Sequence, residues 1–267
     1  LLAEKYGICV VLHTDPANKA LIPWVEALVG HSEKHFEKTG SPLFSSHMLD
    51  LSAEDIDFNL SECERMLKRM APIGMSLEIE LGVTGGEEDG VGSDDDIGAD
   101  NPLLYTQPED CLRAYQLLSP VGHFSLAASF GNVHGVYKPG NVKLRPEILK
   151  NSQDLGQETC KTGKKPLDLV FHGGSGSDKA TIAEALTYGV FKMNIDTDTQ
   201  FAYSKAIGSY VEENHKAFKY QIDPEDGTPY KKQYDPRKYL RVGEESMVER
   251  LDEAFKDLGS VGKTLAS

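Results

Sequence analysis

Six short apolar, β-rich runs punctuate this chain, at 8–13, 43–48, 77–81, 124–130, 167–172 and 190–195. Amphipathic helical stretches lie between most of them. That alternation is the strongest constraint on the fold. A strand, a helix and another strand imply a parallel sheet, because the helix carries the chain back to the end where the next strand must start. Residues 20–38 carry apolar side chains at helical spacing. A second helix, 52–70, opens on Ser52 with Asp55 three residues on, a capping-box-like start. Pro108 stands at the first turn of a third, 108–118. Helices at 179–188 and 200–219 follow the last two strands, and a final one covers 244–258.

Six β/α units fit two architectures. One is an open doubly wound sheet; the other is an eight-stranded β/α barrel with two units absent. Polar residues gather just after the strands: His13 to Asp15, His47 to Asp50, Glu80, Asn132 to His134, His172 to Ser175, and Asn194 to Thr197. Barrel enzymes keep their chemistry at that end of the strands, and contributions from many strands favour the barrel. No Gly-x-Gly-x-x-Gly follows the first strand, so a dinucleotide fold gains nothing. The 267 residues read as one domain. It takes in a Gly- and Asp-rich loop at 84–102 and a Pro/Gly/charge-rich arm at 223–235 that leads into the final helix. A connection as long as the 84–102 loop is expected to be functional.

The net charge of −14 argues against nucleic acid or an anionic membrane as partner. No apolar run is long enough to span a bilayer. Cys9, Cys63, Cys111 and Cys160 lack metal-site spacing and read as reduced thiols of a cytoplasmic protein. Residues 1–7 read as the last turn of a helix with Gly7 as its cap, so further sequence is expected before Leu1.

The chemistry-bearing stretch is His172-Gly173-Gly174-Ser175-Gly176-Ser177, which closes the apolar run of the fifth strand. An imidazole at a strand end can ligate a metal or move protons. The Gly/Ser loop after it lets backbone N–H groups approach an anion. Asn194, Asp196 and Thr197 add polar groups at the next strand end. His134 closes another strand and is also followed by glycine, so His134 and His172 can share a metal across a barrel mouth. Thr84-Gly85-Gly86-Glu87-Glu88-Asp89-Gly90 sets paired carboxylates on a glycine-hinged loop, which suits a general base on a mobile lid. Together these features suggest a metal-assisted enzyme for a phosphorylated small molecule.

Long segments then resemble the class II, metal-dependent fructose-bisphosphate aldolases of the bacterial and fungal type. They are 10–15, PLFSSHMLDL at 42–51, LEIELGVTGGEEDGV at 77–91, LYTQPED at 104–110, SFGNVHGVYKPGN at 129–141, 170–177, 192–200 and 234–241. The resemblance implies a TIM-type (β/α)8 barrel lacking its first two β/α units in this chain. It implies reversible cleavage of fructose 1,6-bisphosphate to dihydroxyacetone phosphate and glyceraldehyde 3-phosphate. It makes His134 and His172 ligands of a divalent metal, typically Zn2+, with Glu80 as an alternative ligand and Asp50 as a second-shell or second-cation carboxylate. Glu88, with Glu87 beside it, becomes the base, and Asp15 the acid at the aldehyde-derived oxygen. Gly135, Lys138, Gly173, Ser175, Asn194, Asp196 and Thr197 become contacts to the ketose and its phosphate. The carbonyls of Gly135 and Gly173 would hold a monovalent cation, Na+ or K+. Arg237 would reach the other phosphate in a neighbouring subunit of a homodimer.

One position departs from the pattern. In the family, histidine follows the aspartate of the first segment and is the third metal ligand; here Pro16 follows Asp15. The neighbouring 20–24 keeps the family spacing, so a shifted alignment does not restore the ligand. Proline offers no lone pair, and a catalytic zinc normally has three protein ligands. Beside a working aldolase, the sequence therefore leaves open an impaired aldolase-like protein that binds phosphorylated sugars or a partner, and another sugar-phosphate lyase or isomerase on the same frame.

Overall fold

The structure is a computed structural model and describes residues 2–88, 91–92, 104–134 and 143–264. The chain divides into two compact units, Leu1–Asn194 with Lys263–Ser267, and Ile195–Gly262.

The first unit begins with α1 (Leu2–Tyr6), capped by Gly7 at φ +61°. It continues with β1 (His13–Thr14), α2 (Ile22–Thr39), β2 (Ser46–Leu49), α3 (Ile56–Met70) and β3 (Ser76–Leu81). Next come β4 (Gly85–Glu88), β5 (Val91–Gly92), α4 (Pro108–Leu118), β6 (Phe124–Ala128) and β7 (Val133–His134). It ends with α5 (Glu147–Cys160), β8 (Leu169–Phe171), α6 (Lys179–Thr187) and β9 (Val190–Met193). The main sheet has six strands in the order β1-β2-β3-β6-β8-β9, and each neighbouring pair is parallel.

β3 shows how sequence becomes position. Every residue from Leu77 to Leu81 is buried. Side chains alternate across a strand, so Leu77, Ile79 and Leu81 share one face and Glu78 and Glu80 the other. Four fully buried side chains of α3, Leu60, Cys63, Leu67 and Met70, recur at three- and four-residue spacing and form that helix's core stripe. Each such burial contributes about 1.5–3 kcal/mol. The opposite face of the sheet is polar, and its groups bond to one another. Lys192 on β9 reaches Asp15 just beyond β1, Nζ to Oδ2 at 3.1 Å, although β1 and β9 are the two edges. A flat six-stranded sheet would hold those edges about 24 Å apart, five spacings of about 4.8 Å. The sheet is therefore rolled into a half-barrel, which decides against the open doubly wound alternative.

Two sequence expectations for this unit need correction, and one helix is new. The run 8–13 contributes only His13–Thr14 as strand; Ile8, Val10 and Val11 are 49%, 69% and 64% exposed. Ladder bonding comes from the β2 side, where Ser45 N–H donates to Leu12 C=O at 2.9 Å. The cap of α3 is Asp55, whose side chain accepts from the N–H of Asp57, and not Ser52. Ser52 instead donates through its N–H and hydroxyl to Asp50 Oδ1, at 3.0 and 2.6 Å. α5 was not anticipated. Its Gln153 ties the start of the fifth strand run to the sixth: Nε2 donates to the carbonyls of Leu167 and Tyr188 at 2.8 and 2.9 Å, and Oε1 accepts from Leu167 N–H at 2.9 Å. Gln153→Leu is expected to cost about 2–4 kcal/mol, because it leaves buried backbone groups unpaired. A urea midpoint unchanged from wild type would refute this.

The second unit holds α7 (Thr197–Glu213), α8 (Lys231–Tyr234) and α9 (Pro236–Asp257). α9 begins eight residues before the expected 244, because Pro236 sits in the first turn and Asp235 caps it through Arg237 N–H. A Cβ at Gly243 would stand 2.9 Å from the Tyr203 ring, so glycine lets α9 lie close on α7. Part of the expected arm at 223–235 folds onto Asp223, which accepts from Tyr230 and Lys216 and caps its own turn at Glu225. Among the described residues, no helix is long and apolar enough to cross a membrane.

Candidate active site at the strand ends

The buried centre is His172, at the end of β8 and 2% exposed. Its Nε2 lies 2.9 Å from Glu78 Oε1, and its Nδ1 lies 3.1 Å from Glu80 Oε2. Both carboxylates come from the inner face of β3. Glu80 is turned by Thr84, whose hydroxyl donates to Oε1 at 2.6 Å. Burial alone would lower the His172 pKa, but the Glu80 charge and the bonds to both carboxylates outweigh it and raise it to about 10. Burial likewise pushes Glu78 up, while His172 and Lys192 prevail and hold it at about 2.

Lys192 is the second cation of the site. Its ammonium lies 3.0 and 2.8 Å from the two oxygens of Glu78, 3.1 Å from Asp15 Oδ2 and 3.2 Å from His13 Nε2. His13, Asp15 and Glu78 put ligand atoms within 4.8 Å of one another, close enough to share an ion. Lys192 already supplies the positive charge there, so a metal in that position would have to displace it. The His172–Glu80 pair is the better metal seat. A nitrogen and an oxygen 3.1 Å apart match two ligands bonded at about 2.0–2.2 Å to one tetrahedral ion. Glu78 on the far nitrogen is the outer carboxylate that metal-binding histidines commonly carry. The donor set present thus fits a divalent cation.

Asp15 also accepts from Asn194 Nδ2 at 2.6 Å, and Asn194 N–H donates to Phe171 C=O at 2.9 Å. In the loop expected to approach a phosphate, one backbone N–H is already taken by the protein itself. Gly174 N–H donates to Asn194 C=O at 3.0 Å, and a Cβ at Gly174 would stand 2.6 Å from Met193, so only glycine packs there. Gly173 sits at φ +59°, where glycine is favoured, and Ser175 is buried. The structure therefore brings Asp15, Glu80, His172, Gly173, Ser175 and Asn194 to one end of one sheet.

Asn132 Nδ2 donates to His172 C=O at 3.0 Å, which sets the chain leading to His134 beside His172. β7, which contains His134, pairs with β4, which contains Glu87 and Glu88, with Gly86 opposite His134. Gly135, Lys138 and most of the 84–102 loop lie outside the described residues. Asp50 holds its own turn through the Ser52 bonds to Oδ1, and its N–H donates to Ala17 C=O at 2.9 Å. In the second unit, Asp196 precedes α7 and accepts from Gln200 at 2.7 Å, and Thr197 is the first residue of that helix. Arg237 is exposed, with Nε and Nη2 on the two oxygens of Asp235 at 3.0 and 2.6 Å.

Sequence reading missed Glu78 and Lys192, although charged residues inside short apolar strands must face a polar interior. It grouped His47 with the polar residues just after the strands, whereas His47 lies inside β2, level with Leu77. This histidine is fully buried on the face opposite Glu78; its Nδ1 bonds Thr14 Oγ1 at 2.8 Å and its Nε2 has no partner among the described residues. Burial, with His13 nearby, pushes it down to about 4. The folded chain thus resists a proton that the unfolded chain accepts near pH 6.5, so stability falls as pH drops from 6.5 towards 4, by about 3 kcal/mol in all. His47→Asn should flatten that slope in urea midpoints taken between pH 7 and 4.5. Parallel slopes would show that His47 is not the titrating group.

The fold and sequence have known relatives. A family model described as fructose-bisphosphate aldolase class-II matches residues 1–263. The chain is similar to the fructose-bisphosphate aldolase of Campylobacter jejuni, 53% identical over 267 residues, covering 98% of this chain and 75% of the relative. It is 51% identical over 263 residues to the fructose-bisphosphate aldolase class 2 of Escherichia coli K12, covering 97% and 72%. A crystal structure of the Campylobacter jejuni fructose-bisphosphate aldolase superposes with a TM-score of 0.83 at 52% identity, over 97% of this chain and 73% of that one.

Proposed function

The chain belongs to the class II fructose-bisphosphate aldolase family, and we propose how its own residues carry out that family's lyase reaction. The reaction is the reversible cleavage of fructose 1,6-bisphosphate to dihydroxyacetone phosphate and glyceraldehyde 3-phosphate. The observation that carries the reading is His172 held between Glu78 and Glu80 at the strand ends. His172 and Glu80 would hold the divalent metal with His134, and the N/O donor set favours zinc. A divalent metal held there would supply Lewis-acid polarisation of the ketone carbonyl, the electron sink that the cleavage needs.

Asp15 gives and takes the proton at the aldehyde-derived oxygen. It is held for that by Asn194 and Lys192, at 2.6 and 3.1 Å. Glu88 moves the proton on the carbon next to the carbonyl, with Glu87 beside it; the pairing of β4 with β7 supports this by running that strand along the one that contains His134. Asp50 supports the metal region from outside the ligand set. Gly173, Ser175 and Asn194, with Gly135, Lys138, Asp196 and Thr197, receive the ketose and its phosphate, and the carbonyls of Gly135 and Gly173 receive Na+ or K+. Arg237 reaches the second phosphate in the partner of a homodimer. Holding both ends of the sugar orients it before chemistry starts. The 84–102 loop acts as the lid, and the enzyme works in glycolysis in the cytoplasm. An impaired sugar-phosphate binder is not favoured, since relatives at about half identity are named aldolases.

The test is a coupled cleavage assay on full-length protein, with zinc added or chelated. Turnover that needs zinc and falls about 100-fold or more in Glu88→Ala is expected. Turnover insensitive to chelation would overturn the metal reading, and full activity in Glu88→Ala would remove Glu88 as the base.

A further inference from the structure

The Lys192 ammonium has three N–H groups and four close acceptors on three residues, Glu78, Asp15 and His13, all between 2.8 and 3.2 Å. Those residues come from β3, the end of β1 and β1 itself, while Lys192 stands on the opposite edge strand. Glu78 Oε1 is shared: it faces Lys192 at 3.0 Å and His172 Nε2 at 2.9 Å. His13 passes its other nitrogen to Ser46 Oγ at 2.7 Å, which anchors it to β2. One side chain thus touches the proposed acid directly and the proposed metal ligand through one carboxylate.

We propose that Lys192 is a positioning residue that fastens the two edges of the rolled sheet and thereby fixes Asp15 and the Glu78–His172 pair for the reaction; this rests on the roles given to Asp15 and His172 above. The physical case is one of charge and geometry. Two carboxylates crowded on one polar face repel each other unless a cation lies between them. A fixed internal ammonium does this while leaving the His172–Glu80 seat open. Without it, Glu78 loses two of its three close contacts, to Lys192 on both oxygens, and His172 loses the carboxylate geometry that aims its Nδ1. Asp15 keeps Asn194 at 2.6 Å and the more distant His13 Nε2 at 3.7 Å. Misplacement of a reacting group by about 1 Å can cost about 100-fold in rate, and loss of an outer-shell partner costs about 10–100-fold in metal affinity or activity.

The experiment compares full-length wild type, Lys192→Ala and Lys192→Arg in two assays. The first is zinc affinity, read by competition with a chromophoric chelator in the absence of sugar. The second is cleavage of fructose 1,6-bisphosphate. In Lys192→Ala, zinc affinity should weaken about tenfold. Its kcat should fall about 100-fold, with KM within threefold of wild type. Ethylammonium chloride, supplying the missing ammonium, should restore both in proportion to its concentration, while sodium chloride at equal ionic strength should not. Lys192→Arg should retain more zinc affinity than the alanine variant. The proposal is overturned if Lys192→Ala stays within twofold of wild type in both assays, or if ethylammonium restores neither while the circular dichroism spectrum is intact. It is also overturned if neither variant folds, which would make Lys192 structural. Should wild type cleave no sugar bisphosphate, the functional reading above fails, and the zinc arm alone still decides whether Lys192 positions His172.

Discussion

Pro16→His is expected to raise the zinc affinity of the full chain about 100-fold and to raise cleavage activity with it. The estimate follows from structural zinc sites, where four ligands together are worth about 10–16 kcal/mol, so one ligand is worth about 3 kcal/mol. Pro16 directly follows Asp15, whose carboxylate already meets Lys192 and Asn194 at the strand ends. A histidine there stands next to the same cluster as His172 and Glu80. The gain is expected to be partial, because no outer carboxylate has been selected to orient a side chain at this position. Zinc titration and cleavage rate on both versions provide the test. Full wild-type activity with no gain in the variant would mean that another residue already supplies the third ligand. No gain in zinc would move the weakness away from Pro16.

His172→Leu is expected to destabilise the protein by about 3–5 kcal/mol, the range for removing one partner of a buried ion pair. Glu78 and Glu80, whose side chains are 2% and 3% exposed, would lose the imidazolium between them. For a chain of this size that is a fall of about 10 °C in Tm. The effect carries a pH signature. The folded pKa of His172 is raised to about 10 by Glu80 and Glu78 against burial. Its contribution is therefore complete below the ordinary 6.5 and disappears as pH climbs from 6.5 through 10. Glu78 runs the other way. Held at about 2 by His172 and Lys192 against burial, it stabilises above the ordinary carboxylate range, and that stability is lost as pH falls through 2. Melting metal-free wild type and His172→Leu, with a chelator present because a bound cation would displace the proton, at pH 6, 8 and 9.5 should show a gap that narrows with rising pH. A gap under about 1 kcal/mol at pH 6, or one that is constant to pH 9.5, would contradict the imidazolium assignment.

Local chemistry explains which elements were legible beforehand. α4 matches its expected bounds because Pro108 favours a first turn and the apolar period does the rest. α3 ends at Met70 as expected but starts four residues late, because Asp55 competes with Ser52 for the cap and Ser52 is taken by Asp50. Run 8–13 has β-rich composition throughout, yet composition supplies no neighbour, and only His13–Thr14 ladder with β2. α5 was overlooked because its interior is rich in polar residues; the feature that secures it, Gln153 bonded to the backbone just ahead of β8 and of β9, exists only once those strands are adjacent.

The site divides the same way. The sequence by itself determined that His172, Glu80, Asp15 and Asn194 stand at strand ends, since alternation of strand and helix places them there and long motifs name the family. Tertiary structure alone decided that a lysine on one edge strand bonds an aspartate at the other, that Glu78 and Glu80 grip both nitrogens of one histidine, and that His47 is buried with a nitrogen unpaired among the described residues. Strand period says which face a side chain takes. How far the sheet rolls depends on packing summed over every strand, and that roll brings edges about 24 Å apart in a flat sheet to within one hydrogen bond of each other.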